Sequence, residues 1–239
     1  MTAIARNDLR HYRTAPQCYI FAALYFAVLG YSFASSVIIN GSAGCRLLFS
    51  GMYGILILVF PFLTQGAFPF EKSHGTYDLL LSSPVSTLSI VLGKFLGCFT
   101  VFALSFLLSS VFGIIICLMG IASPSEVFTC YLGAFLLGVC FISVGLFISA
   151  MCDRAVHGWL FTALCLSIFR FLAMLSSYTV DSALWFVLRI TGLFNCFATL
   201  NSGVIDAYSI VYFLSFSVFW IFLACKVIDK RKWGRGDAI

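Results

Sequence analysis

The sequence predicts an all-α integral membrane protein with six transmembrane helices. Three observations carry that reading: very few charges, apolar runs long enough to cross a bilayer, and a one-sided distribution of the basic residues. Of 239 residues, 62% are hydrophobic and 10% are charged, where a soluble domain carries about 25% charged. Mean hydropathy is +1.06. So little polar surface cannot cover a globule in water, and most of this surface must face lipid. The 27 phenylalanines suit lipid-facing helices. The net charge of +5 comes without any basic run interleaved with aromatics, which excludes a nucleic-acid partner.

A helix needs about 20 apolar residues to cross the hydrocarbon core. The runs that meet this are Cys18–Ile39, Leu47–Phe68, Phe95–Met119, Val127–Met151, Gly158–Ser176 and Ile210–Cys225. The first is too long for a signal-peptide core and no small-residue cleavage site follows it, so it reads as a retained span. A seventh stretch, Ala183–Leu200, is apolar but holds Arg189, Gly192 and Asn195.

Charge decides the parity, because Lys and Arg collect in cytoplasmic loops. Six spans with the N-terminus inside place eleven of the 14 basic residues on one side and leave Arg46, Arg170 and Arg189 on the other. Counting Ala183–Leu200 as a full span would give six against eight. Both termini are therefore expected in the cytoplasm. The ambiguous stretch is expected as an extracytoplasmic re-entrant element before the last span, which is tolerated when its backbone is buried in protein.

The chain then divides in order. Residues 1–17 carry Ile4, Leu9 and Tyr12 among Arg6, Arg10 and Arg13, the pattern of an amphipathic helix on an anionic membrane face. Spans one and two occupy 18–68. A cytoplasmic loop occupies 69–94, spans three to five 95–176, the outer element 177–209, and span six with a basic tail 210–239. All of this forms one transmembrane domain.

The ten cysteines are scattered and show no C-x-x-C or Cys/His grouping with metal-ligand spacing, so they read as small membrane hydrophobes. No carboxylate pair lies inside a span, and G-x-S-x-G is absent, so no catalytic residue is assigned. Gly93-Lys94 is followed by Phe95 and preceded by Leu88 five residues earlier, which fails the phosphate-loop pattern. Any use of ATP must pass through a partner. His74 lies in the loop without placed partners.

Arg170 is the conspicuous charge within a span. An arginine at a helix centre costs about 2.5–3.5 kcal/mol on insertion scales, which the surrounding Leu and Phe offset. It lies about 12 residues, or roughly 18 Å, from the inner end. Three readings stand: a group lining a substrate path, an arginine snorkelling to the outer interface, or a pair with Asp181.

The loop is the densest polar stretch of the chain. Glu71-Lys72-x-x-Gly75-Thr76-x-Asp78-Leu79-Leu80-Leu81-x-x-Pro84-Val85, followed by Gly93-Lys94, resembles the signature of ABC-2-type transporter permeases. Within them it is most similar to the gliding-motility and nitrous-oxide-reductase-maturation exporters, with Asp78 where that subgroup has Glu. Asp8-Leu9-Arg10-x-Tyr12-x-x-x-Pro16, Phe197 through Asp206, and the closing Lys230-Arg231-Lys232-Trp233 resemble the same family.

The resemblance implies a permease subunit without enzymatic activity or cofactor of its own, ATP and Mg²⁺ being held by a separate ATPase. It implies two ATPase copies, a second permease chain (identical or a sister), and a multi-pass place in a prokaryotic inner membrane. It makes Glu71, Lys72, Gly75, Thr76, Asp78, Leu79, Leu80, Pro84, Gly93 and Lys94 the expected coupling residues. Arg170, Arg189, Asn195 and Asp206 are the candidates for a substrate path or outer gate. On physical grounds Glu71 and Lys72 are expected to make charged contacts with the partner, Gly75 a tight turn, and Thr76 an N-cap. A membrane assembly factor or a secondary transporter, neither coupled to an ATPase, is the alternative.

Overall fold

In the computed structural model, residues 16–39, 45–73, 75, 86–120, 122–176 and 192–233 are described. Among them the structure is all helical. In chain order the helices are α1 (Pro16–Phe33), continued by a π-helical turn at Ala34–Ile39; α2 (Cys45–Thr64); α3 (Pro69–Ser73); α4 (Thr87–Leu118); α5 (Pro124–Met151); α6 (Ala155–Ser176); α7 (Leu193–Asn201); and α8 (Ala207–Trp233). Six helical segments among the described residues are long and apolar enough to cross a membrane, with α2 and α3 forming one of them.

Local chemistry explains several boundaries. Pro16 opens α1, where its missing N–H costs nothing. Ser35 and Ser36 hydroxyls donate to the carbonyls of Ser32 and Phe33 three residues back, at 3.1 and 3.4 Å, where the helix widens into its π turn. At α5, Ser123 Oγ accepts from the Glu126 N–H at 3.3 Å, with Pro124 behind it and Glu126 in the first turn.

The third span begins earlier than its apolar run. The run starts at Phe95, but α4 starts at Thr87, so Gly93 and Lys94 lie in the helix and are buried. The mixed stretch Thr87–Lys94 reads as loop by composition. It is helical because Ile90, Val91 and Lys94 pack inward.

α5 is the spine. It packs against α2, α4, α6, α7 and α8, and 72% of its apolar window is buried against 28% for α4. Lipid tails are as apolar as Leu, so helices in a bilayer associate through close packing and polar contacts rather than water exclusion. Three glycines on α5 permit that approach. Gly133 faces Leu200 of α7, Gly138 faces the Phe102 ring of α4, and Gly145 faces Thr64 of α2. At Gly133 an added Cβ would lie 2.9 Å from Leu200 Cβ, and at the other two it would collide outright.

α2 does not run straight into α3. Residues 65–68 form a turn, and in lipid its backbone needs internal partners. Ser149 of α5 supplies them, with its hydroxyl donating to Gln65 O and accepting from Phe68 N–H, each at 3.4 Å. The first turn of α1 lies beside this bend, with Gln17 against Gly66.

Gly145→Leu is expected to lower the thermal stability of the purified chain by about 1–3 kcal/mol, the cost of overpacking a tight contact. Gly51→Ala, at a position with nothing within 4 Å, is expected to leave the melting temperature unchanged. Equal melting temperatures for both variants would contradict the glycine-notch account.

Candidate functional site

At one end of the bundle α3 packs against α6 and is held by ion pairs to α4 and to Asp153 just after α5. Glu71 and Lys72 are neighbours on this single helical turn and reach different spans. Lys94, 4% exposed on α4, places its Nζ 2.6 Å from Glu71 Oε1 and 5.1 Å from the centre of the Phe68 ring. A buried ammonium needs such a partner, and the aromatic face adds a second favourable contact.

Lys72 goes the other way. Its Nζ donates to Ala150 O at 3.2 Å, Cys152 O at 2.5 Å and Asp153 Oδ1 at 3.1 Å. The first two carbonyls belong to the C-terminal end of α5, where unsatisfied carbonyls and the helix dipole favour a cation. Arg231 near the end of α8 completes the arrangement, donating to Met151 O at 2.8 Å and Asp153 Oδ1 at 3.2 Å. Asp153 thus bridges a lysine at the end of span two and an arginine at the end of span six. The hydrogen bond from Lys72, followed by its charge, holds the Asp153 carboxyl below its ordinary value of 3.8.

Gly75 follows α3 with φ +71 and its N–H 3.3 Å from Lys72 O. That left-handed conformation is the one glycine adopts freely, and it turns the chain out of the helix. Gly75, Ser73 and Phe70 are exposed. Thr76, Asp78, Leu79, Leu80 and Pro84 lie outside the described residues.

Within the chain, Glu71 pairs with Lys94 and Lys72 with Asp153. Gly93 and Lys94 belong to the helix core instead of a loop. Sequence reasoning did not name Asp153, and Arg231 entered it only within the closing basic cluster that resembles the family. The signal was present in an Asp-Arg step directly after a long apolar helix and a basic cluster closing the last one.

Toward the opposite end, Arg170 lies on α6 with its guanidinium carbon 5.8 Å from the Phe194 ring centre of α7. Its Nη2 is 3.3 Å from where a Cβ of Gly54 on α2 would stand. Gly54 is nine residues inside the start of α2, or roughly 13 Å. The side chain therefore crosses to a neighbouring span and does not run to the far interface. Asp181 and Arg189 lie outside the described residues. Asn195 is on α7 beside Phe194. Asp206 caps α8, its Oδ1 accepting from Tyr208 N–H at 3.1 Å. Among the described residues no carboxylate pairs with Arg170.

The bundle and its ion-paired elbow define a multi-pass membrane protein with several span ends joined at one pole. The family model for ABC-2 type transporters matches residues 1–182, and the chain belongs to that family. It is a membrane permease domain of an ABC transporter, a class that normally works with an ABC ATPase subunit. No curated protein matches the chain.

The buried pair makes a double-mutant prediction. Glu71→Gln and Lys94→Met are each expected to destabilise the chain by about 3 kcal/mol. The double variant should lose clearly less than their sum, with a coupling of at least about 1 kcal/mol, read from thermal unfolding. Strict additivity would remove the pair from the account.

Asp153 makes a pH prediction. A depressed carboxyl adds stability above its ordinary value of 3.8 and loses it as pH falls through the folded value. The melting gap between the native chain and Asp153→Asn should hold at neutral pH and close below 3.8. A gap unchanged in acid would exclude the bridge.

Proposed function

We propose that the chain is one half of an exporter of the gliding-motility and nitrous-oxide-reductase-maturation type. Two permease chains, identical or sisters, assemble with two ATPase subunits that hold ATP and Mg²⁺. The observation that carries this reading is the ionic elbow. Glu71–Lys94 and Lys72–Asp153–Arg231 tie α3 to α4, α5 and α8, so force applied beside α3 reaches four spans together. A loop without those pairs would absorb the displacement.

In this reading the charged residues brace the elbow from inside. The exposed Phe70, Ser73 and Gly75, with Thr76, Asp78, Leu79, Leu80 and Pro84, form the surface that meets the ATPase. The pole carrying Lys72, Lys94, Arg154 and Arg231 faces the cytoplasm of a prokaryotic cell, in keeping with the positive-inside rule. Gln17 and Arg231 lie at this same pole, which supports both termini on the cytoplasmic side. α7 and the stretch before it form the outer re-entrant element. Arg170, with Arg189 and Asn195, lines the path beneath it, while Asp206 sets the start of the last span.

The test uses the complex. Co-expression with an ABC ATPase encoded beside this chain should give a co-purifying assembly with ATP-driven transport. Gly75→Pro replaces a residue at φ +71 with one locked near −65° and removes the N–H bonded to Lys72. No neighbour lies within 4 Å of a Cβ there, but the positive φ strains any side chain, so the turn after α3 must change course; membrane insertion should be kept while ATPase association is lost. Full association and transport in Gly75→Pro would overturn the coupling assignment.

A further inference from the structure

Arg170 is held in an unusual way for a cation within a span. Lys72, Lys94 and Arg231 at the basic pole each reach a carboxylate. Arg46, at the start of α2, donates to Ser202 O at 3.1 Å. Arg170 instead has an aromatic ring and a glycine. Its guanidinium carbon lies 5.8 Å from the Phe194 ring centre, and Gly54 lets its Nη2 come against the α2 backbone.

Among the described residues no hydrogen-bond or ion-pair partner meets its N–H groups. A guanidinium carries five N–H groups in its plane, and a ring contact occupies a face of that plane, not its edge. The residue is exposed where its guanidinium meets Gly54 at the seam between α2 and α6. N–H groups in an apolar medium are costly unless matched, and the guanidinium fork matches the paired oxygens of a phosphate or carboxylate.

The surroundings are apolar. Ile55, next to Gly54, is 40% exposed and Phe171, next to Arg170, is 65% exposed. Gly51, one turn from Gly54, has nothing within 4 Å of its Cβ position. The site also lies below the rim, since Gly54 is eight residues, or about 12 Å, deeper than Arg46. A charged group with an apolar tail suits such a place, and a small hydrated ion does not.

We propose that Arg170, braced by Phe194 and Gly54, binds the phosphate or carboxylate head of an anionic amphiphile in the lateral seam between α2 and α6. The assignment rests on the permease reading for treating that amphiphile as cargo. The chemistry of the site itself does not depend on it.

The full chain in neutral maltoside detergent would be titrated with decyl phosphate, decanol and inorganic phosphate, with bound species counted by native mass spectrometry. Decyl phosphate should bind once per chain, and Arg170→Gln should weaken it at least about tenfold, the factor one charge-assisted contact contributes. Arg170→Lys should fall between, keeping the charge but losing the fork. Gly54→Leu should weaken binding by displacing the guanidinium with its charge intact. Decanol should show no dependence on Arg170.

Phosphatidylglycerol that co-purifies with the native chain and not with Arg170→Gln would assign the site to a bilayer lipid. Arg170-dependent decyl phosphate binding without such a lipid assigns it to cargo in transit. Equal decyl phosphate affinity for the native chain and Arg170→Gln overturns the site, and equally tight inorganic phosphate overturns the amphiphile. ATPase association is expected to be unaffected by Arg170→Gln, so this inference and the permease reading fail separately.

Discussion

In a bilayer the helices gain nothing by hiding leucine from water, so this bundle depends on how closely its spans can approach one helix. α5 is that helix. Its three glycines receive a leucine, a phenylalanine and a threonine from three different partners, and dispersion between such close surfaces replaces the missing hydrophobic force. Ser149 shows a second use of the same helix, since it supplies hydrogen bonds where the α2 backbone breaks. Without those partners the turn at 65–68 would carry unmet polar groups at the edge of the hydrocarbon. The bend positions α3, and α3 positions the charged elbow.

At the basic pole the physics changes from packing to charge. The end of α5 presents unsatisfied carbonyls, and two cations from different parts of the chain converge on them. Lys72 takes Ala150 O and Cys152 O, Arg231 takes Met151 O, and both reach Asp153. The Asp153 carboxylate is well exposed, so its individual ion pairs are screened and weak. Their value lies in geometry, because one carboxylate fixes the positions of two span ends. Glu71–Lys94 is different in kind. Lys94 is buried, so breaking that pair is costly. The elbow therefore combines one strong internal pair with one orienting bridge.

Much of this was legible beforehand, and the reasons differ by element. The six spans follow from length and apolarity, which composition reports directly. The left-handed turn at Gly75 follows from a glycine inside a polar stretch. The true start of α4 was not legible. Thr87 to Lys94 mixes polar and apolar residues, and only the neighbours that bury Lys94 make it helical. The destinations of Glu71 and Lys72 were hidden for the same reason. A charged residue in a polar stretch looks partner-facing until its distance to Lys94 or Asp153 is known, and those residues are 23 and 81 positions away. The dual role of Asp153 was equally invisible, because nothing local ties it to the end of α8.

Arg170 shows how tertiary position decides between readings that sequence leaves open. An arginine in the outer part of a span relieves its cost most simply by snorkelling to the headgroups. Here a glycine on α2 provides a closer surface, and Phe194 provides a face on which the cation is attracted. Both contacts hold the guanidinium below the rim, where its in-plane donors gain nothing from water. A purely structural arginine would be expected to spend those donors on carbonyls, as Arg46 does on Ser202. The chain bears the insertion cost of a cation at this depth, and among the described residues no acceptor meets its most directional groups. That cost is explained if the matching acceptor arrives from outside the chain.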